Sequence, residues 1–278
     1  MKIQYLGTGA AEGVPAMFCN CEYCKKIRSL GEVEVRTRTQ VLLDDTICID
    51  FPPEAYSHSL KFGVDLSSLK YLLVTHSHMD HFYAHDFVLR GYKYAKVSEP
   101  VLNIFGNSEV EKVFKECTAR EMKAEVAPHV VFKTVKPYEE FEVCGYRVLT
   151  VPATHSKTEE ALLYFISRGD KGYLHMYDTG TICDEAFSFL AKKGAKANLV
   201  SFDCTFVEHR GGENARHMGI EDNMLMKNKL LEFGIADGNT KYIITHFSHN
   251  SNPLRSRLKE FEDRYSVTAA FDGMEVKI

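Results

Sequence analysis

The sequence predicts an α/β fold in which sheets are covered by helices, and three observations carry the prediction. Short apolar, β-branched runs recur along the whole chain, helical periodicity marks four longer segments, and strands crowd early but alternate with helices late. The strand candidates are Ile3–Leu6, Val41–Leu43, Ile47–Ile49, Tyr71–Val74, Val101–Phe105, Val130–Val135, Tyr146–Val151, Leu162–Ile166, Tyr173–Tyr177, Leu199–Phe202, Tyr242–Ile244 and Val267–Phe271. Asp44-Asp45-Thr46 reads as the turn of an early hairpin. The helical segments are Glu109–Arg120, Asp184–Lys193, Ile220–Phe233 and Pro253–Arg264. Gly234 suits a left-handed C-cap for the third, while Asn252 as N-cap and Pro253 at the first position open the fourth. With 278 residues, 45% of them apolar, the chain can bury a large core, and no linker or low-complexity run divides it. Residues 1–278 are therefore read as one domain.

Bulk charge narrows the partners. At −4 the net charge argues against nucleic acid and against an anionic membrane surface, so a phosphate-bearing substrate would have to be attracted locally, for example by bound metal ions. Met1–Gly7 has no apolar core of signal-peptide length, and the apolar stretch Ala161–Ile166 is far too short to cross a bilayer. These readings lead us to expect a cytoplasmic protein with no membrane partner. Cys48, Cys117, Cys144, Cys183 and Cys204 are scattered singly and read as reduced, buried thiols.

The chemistry lies where strands stop. Tyr71–Val74 runs into His76, Val148–Val151 leads to His155, Tyr173–Tyr177 to Asp178, and Tyr242–Ile244 to His246. Open α/β sheets gather their sites at strand carboxyl ends, so four such ends can converge. His76-Ser77-His78-Met79-Asp80-His81 puts four metal-competent side chains in six residues. His76 and His78 project to one side of an extended segment and can grip one ion; Asp80 and His81, from the following turn, can grip a second. A polar loop with Asp80 as a helix cap is the bland alternative, but imidazoles crowded this closely repel whenever they protonate. Nitrogen and oxygen ligands of this kind suit Zn, Mn or Fe.

With isolated His155, with Asp178 in Tyr-Asp-Thr-Gly, and with His246 late in the chain, this motif resembles the metallo-β-lactamase superfamily. The resemblance implies an αββα sandwich, two sheets flanked by helices, with a dinuclear metal site at strand C-terminal ends. It also implies His76, His78 and His155 on the first ion, Asp80, His81 and His246 on the second, and Asp178 bridging both.

Cys19-x-Cys21-x-x-Cys24 is a second cluster, and a closed tetrahedral zinc needs a fourth ligand. His249 is the candidate: three residues after His246, it can turn towards the cysteines while His246 faces the other ions. A disulfide is disfavoured by the odd number of thiols. The opening Gly7-Thr8-Gly9-Ala10-Ala11-Glu12-Gly13-Val14-Pro15, the cysteine cluster, Thr154-His155-Ser156-Lys157, Thr245-His246-x-x-His249 and Phe271-Asp272-Gly273-Met274-Glu275 are together similar to the phosphodiesterase family of the carbon–phosphorus lyase pathway. That resemblance implies hydrolysis of phosphoribosyl 1,2-cyclic phosphate and a structural zinc held by three Cys and one His. One departure stands out. After His81 the superfamily often places a Gly within three residues, where this chain has Phe82-Tyr83-Ala84-His85, and these aromatics are expected to reshape the pocket floor or wall.

The expected function is a metal-dependent phosphodiesterase acting on a small cyclic or linear phosphodiester, in which two ions sharing Asp178 hold the attacking hydroxide. His217 corresponds to that family's general-acid histidine, with His209 as its rival, and Asp80 has a secondary role hydrogen-bonding the nucleophilic water. His85, His58, His129 and His175 read as structural or surface histidines, Lys157 as a solvated lysine, and Gly7-Thr8-Gly9 as a tight loop near the metals rather than a nucleotide loop. The alternatives are a tRNA 3′-processing endonuclease-like hydrolase, which needs an RNA-binding arm or basic surface, and a non-catalytic metal-binding scaffold. A homodimer is expected by analogy with family relatives alone.

Overall fold

The structure, a computed structural model, describes residues 1–212 and 214–278. The first half of the chain supplies β1 (Lys2–Gly7), β2 (Gln40–Leu43), β3 (Ile47–Ile49), β4 (Tyr71–Leu73), β5 (Leu102–Gly106) and β6 (Val130–Thr134). The second half supplies β7 (Glu140–Val143), β8 (Tyr146–Pro152), β9 (Leu162–Arg168), β10 (Lys171–Met176), β11 (Leu199–Asp203), β12 (Lys241–Thr245) and β13 (Thr268–Ala269), and β14 (Met274–Lys277) returns to the first sheet. Among the described residues these strands form two seven-stranded sheets, ordered β14-β1-β2-β3-β4-β5-β6 and β13-β12-β11-β10-β9-β8-β7.

Each sheet is built the same way. Antiparallel pairs come first, β1–β2–β3 in one and β8–β9–β10 in the other, and parallel strands follow, β3–β4–β5–β6 and β10–β11–β12–β13. Parallel neighbours need crossovers, and these are where the helices sit. The turn at Asp44-Asp45 between β2 and β3 is tight enough to put both residues at positive φ, 46° and 56°, a conformation Asp tolerates better than most side chains.

The helices are α1 (Glu22–Leu30), α2 (Ala55–Phe62), α3 (Ser108–Thr118), α4 (Asp184–Lys192), α5 (Ile220–Glu232) and α6 (Arg255–Tyr265). Between the sheets Ile3, Val41, Ile49 and Leu73 meet Val148, Tyr164, Leu199 and Ile243 in one buried layer. The outer face of the second sheet is covered by Phe187 and Leu190 of α4, Met226 and Leu230 of α5, and Leu258 and Phe261 of α6. The outer face of the first is covered by Ala55 and Val110, with Phe82 and Phe87 from the segment after the histidine motif. Helix, sheet, sheet, helix is the order of layers, as the family resemblance implied.

Helices α1 and α2 lie outside the four helical segments that the sequence predicts, and the other differences are local. Gly234 caps α5 at φ 64° as expected, but α6 starts later than expected. Asn252 is left-handed, at φ 52°, and closes the short turn His249–Ser251 instead of opening the helix, so Leu254 takes the N-cap place. The motif residues set this: Ser248 caps the turn through Asn250 N, and the chain must finish that turn before a helix can begin. Val267–Phe271 shortens to a two-residue strand, and β7 and β14 are edge strands with weak apolar pattern. Of the scattered cysteines, Cys48 and Cys204 are buried, whereas Cys144 and Cys183 are exposed and Cys117 is half-buried. No described helix is long and apolar enough to cross a membrane.

Candidate metal centre

The strand ends converge as the sequence suggested. Side chains of His76, His78, His155 and Asp178 bring ligand atoms within 4.8 Å of one another, and so do those of Asp80, His81, Asp178 and His246. Asp178 belongs to both groups, and to a third of the same kind with Asp203, His217 and His246. Its Oδ2 lies 3.2 Å from His76 Nε2 and 3.2 Å from His81 Nε2, while Oδ1 lies 3.1 Å from His155 Nδ1. The backbone aims these side chains. Asp178 after β10, His246 after β12 and Asp50 after β3 all sit at positive φ, 50°, 61° and 63°, so each strand turns abruptly and points its last side chain inward. Non-glycine residues hold that conformation only where their surroundings fix it, and such positions cluster at functional sites.

Hydrogen bonds fix the imidazole tautomers. Thr75 donates its hydroxyl proton to Asp50, so the Nδ1–H of His76, 3.0 Å away, must donate to Thr75 Oγ1. His81 Nδ1 donates to Asp50 Oδ2 at 2.6 Å. Thr205 donates to the carbonyl of His246, leaving its oxygen to accept from His246 Nδ1 at 2.8 Å. His155 Nδ1 donates to the Arg216 carbonyl at 3.3 Å. In all four rings Nε2 is therefore left with a lone pair, turned into one cavity. His81 Nε2 and His246 Nε2 are buried there without a hydrogen-bond partner, a costly arrangement that a bound cation would relieve. The donor set, imidazole and carboxylate with its outer hydrogen bonds already in place, fits divalent transition metals.

Electrostatics point the same way. Burial opposes ionisation of Asp178, but His246, His217, His76 and His81 hold its carboxyl well below the usual carboxylate range. Burial would likewise lower His81, yet the charges of Asp80 and Asp50 raise it well above the ordinary imidazole value. A site that draws a proton this strongly offers the same negative potential to a cation. Burial lowers His155 to about 4, which keeps it neutral and able to ligate.

His217 reaches this group, and His209 is exposed on the surface. His217 Nδ1 lies 2.9 Å from Asp178 Oδ1 and 3.0 Å from Asp203 Oδ2, with 24% of its side chain exposed. Burial would lower its pKa, but Asp203 and Asp178 outweigh burial and push it up to about 10. His85 is exposed; His58 and His175 are buried in the core, where burial lowers them to about 4 and about 3. Of the aromatics after His81, Phe82 packs into the core and Tyr83 lines a cleft beside the site.

Asp50, Asp203, Thr75 and Thr205 are the residues sequence reasoning missed. Asp203, fully buried, accepts from Thr205 N at 2.9 Å and Met218 N at 3.1 Å, so it holds the His217 loop as well as the ring. Both acids follow apolar runs, Ile47-Cys48-Ile49 and Leu199–Phe202, and the strand-end rule that picked His76 and Asp178 would have found them. Replacing Asp50 by Asn should cost 10- to 100-fold in affinity for a divalent ion taken up by the group that contains His81, as outer-shell partners generally do. Competition with a chromophoric chelator measures this, and an unchanged affinity would remove Asp50 from the site.

The cysteine cluster also forms. Ligand atoms of Cys19, Cys21, Cys24 and His249 lie within 4.8 Å of one another, with His249 Nδ1 3.4 Å from Cys24 Sγ. Backbone amides of Cys21, Cys24 and Ala16 donate to Cys19, Cys21 and Cys24 Sγ at 3.4 Å each, while burial pushes the Cys24 thiol up to about 11. Those bonds, with Cys19 and His249 nearby, lower the Cys21 thiol to about 6. Gly7-Thr8-Gly9 is a tight loop that grips the second ligand strand: Phe247 N donates to Thr8 O, and Ala10 N to Phe247 O, each at 3.0 Å. Asp272 of the closing motif ties it down, accepting from the Thr8 and Thr37 hydroxyls at 2.7 and 2.6 Å. A Cβ on Gly7 would overlap the Arg38 carbonyl, so the loop needs glycine there.

Residues 48–247 match the model of the β-lactamase superfamily domain. The chain belongs to the β-lactamase superfamily. Superfamily membership brings with it divalent metal ions as cofactors and hydrolysis as the general chemistry. Solved structures with the same fold include one described as a new diphosphatase from the PhnP family, with TM-score 0.72, 20% identity, and coverage of 100% of this chain and 97% of that one. Zinc-bound PqqB from Methylobacterium extorquens has TM-score 0.66, 16% identity and full coverage of both chains. Human tRNase Z, short form, has TM-score 0.68, 16% identity and coverage of 100% and 99%. Among curated proteins, an octanoyltransferase of Porphyromonas gingivalis is 38% identical over 85 residues, a stretch that is 29% of this chain and 16% of that protein.

Proposed function

We propose that this superfamily member is a phosphodiesterase that holds two divalent ions, Zn, Mn or Fe, and cleaves a small cyclic or linear phosphodiester, phosphoribosyl 1,2-cyclic phosphate among the candidates. The observation that carries the reading is Asp178, one carboxylate common to two groups of histidine and acid ligands. His76, His78 and His155 would hold one ion, Asp80, His81 and His246 the other, and Asp178 both. Ions so placed supply charge neutralisation for a phosphoryl group and activation of water. Cys19, Cys21, Cys24 and His249 would hold a structural zinc that braces the loop after Gly7-Thr8-Gly9.

The chain's own residues then have defined tasks. Asp50, Thr75, Thr205 and the Arg216 carbonyl keep the Nδ1 protons in place, so that the ligand nitrogens need no reorientation. Asp203 Oδ2 accepts from His217 Nδ1 at 3.0 Å and orients the ring beside Asp178, whose Oδ1 lies 2.9 Å from the same nitrogen. A partly exposed imidazolium at the edge of the group can protonate a departing alkoxide.

Hydrolysis of bis(p-nitrophenyl) phosphate and of a ribose cyclic phosphate by Mn- or Zn-loaded protein tests this. His217→Ala should slow the ribose ester by about 10²- to 10⁴-fold, the usual worth of a positioned acid, and the nitrophenyl ester far less, because nitrophenolate leaves without a proton. Equal losses on both would remove the acid role. A fully metallated protein that cleaves no phosphodiester would overturn the reading itself.

A further inference from the structure

An open cleft of about 660 Å³ takes its lining from the loop that carries His76–His81 and from the loop that carries Cys19. Met79 stands between His78 and Asp80, and Tyr83 follows His81 by two positions. Across from them, Met17 and Phe18 come from the loop that runs into Cys19, and Cys19 itself reaches the cleft. The lining is mainly apolar, and its side chains face water: Phe18 is 95% exposed, Met17 59% and Met79 57%. An exposed cluster of large apolar groups marks a contact surface, and here its position next to the ligands selects which contact.

Two polar side chains in the cleft are already engaged. Arg38 donates Nε–H to the Ala11 carbonyl at 2.7 Å and pairs Nη1 with Glu54 at 3.1 Å; Glu12 accepts from Ser248 Oγ. A sugar or a second phosphate seated here would meet few polar groups, chiefly Arg38 Nη2 and the Tyr83 hydroxyl, whereas a flat apolar group would gain contact with Phe18, Tyr83 and the polarisable methionines.

Resting on the phosphodiesterase reading of the adjoining centre, we infer that the cleft is its specificity subsite and takes an aryl or similarly flat apolar substituent of the phosphoester. The cysteine cluster gives it one fixed wall, because Cys19 anchors Met17 and Phe18.

The test compares p-nitrophenyl phenyl phosphate with methyl p-nitrophenyl phosphate as substrates, and, by calorimetry, phenylphosphonate with methylphosphonate as ligands of the metal-loaded protein. The phenyl member of each pair should be favoured by about tenfold or more, the scale set by a few added carbons in an apolar pocket. Phe18→Ala and Met79→Ala should each pull both ratios towards one; Phe18 is so exposed that its loss leaves the fold intact. Turnover of both diesters without phenyl preference overturns the subsite and leaves the phosphodiesterase reading standing. A tenfold phenylphosphonate preference without turnover of either diester upholds the aryl site and overturns that reading. Neither turnover nor preference overturns both.

Discussion

Asp178→Ala is expected to abolish phosphodiester hydrolysis while leaving the fold in place, with kcat/KM falling on the order of 10³-fold or more. The size follows from what one metal-centred electrostatic contact contributes, several kcal/mol, at about 1.4 kcal/mol per factor of ten. It also follows from position. Asp178 touches His76, His81, His155 and His217, and no other side chain belongs to both ligand groups named for the two ions. On the proposed two-ion reading, its loss should appear first as metal: the variant should retain about one ion fewer than the native chain, read by mass spectrometry or elemental analysis. Asp178→Asn is the sharper variant, since it keeps the shape and one acceptor oxygen. Native turnover in Asp178→Asn, with two ions retained, would show that the shared carboxylate is dispensable and would remove Asp178 as the residue common to both ions.

Gly180→Ala is the second large effect, and it acts through backbone. Gly180 N donates to Thr154 O at 2.9 Å, and a Cβ on Gly180 would overlap the Ala215 carbonyl. Three loops therefore meet at this residue: one carries Asp178, one His155 and one His217. A carbonyl cannot rotate away as a side chain does, so the methyl group must push the His217 loop off Asp178 or strain all three. Overpacking of this kind costs about 1 to 3 kcal/mol of stability, and the displaced acid should cost catalysis more than that suggests, since small misplacements are worth roughly 10²-fold. Thermal unfolding measures the first effect. The second is read as a loss larger on the ribose cyclic ester than on the nitrophenyl diester, the same signature as His217→Ala. Unchanged rates on both esters would mean that Gly180 does not set the position of His217.

Much of the site was legible because its information is local. His-x-His-x-Asp-His lies within six residues, and the other candidate ligands announce themselves by ending apolar strands, a pattern any reader of β-branched runs can follow. Cys19, Cys21 and Cys24 are legible for the same reason, and His249 because its distance from His246 is short. The layers, too, were predictable: sheets with one apolar face each must be covered, and the late alternation of strand and helix supplies the covers.

What only the tertiary structure decided depends on partners far apart in sequence. Asp50 is an unremarkable acid until the fold sets it 2.6 Å from the Nδ1 of His81, and Asp203 until Met218 and His217 close over it. Which of the loop histidines His217 and His209 lies against Asp178 is of this kind, because Asp178 is distant from either in the chain. So are the matched build of the two sheets, which has no sequence repeat behind it, and the weak edge strands β7 and β14, which exist only because a neighbour offers them hydrogen bonds. The cleft gathers Met17, Phe18, Met79 and Tyr83 from two loops that meet beside the ligands. Ligand identity is written in short-range pattern because coordination needs particular atoms, whereas orientation, protonation and pocket shape arise from close packing between segments, which no local pattern encodes.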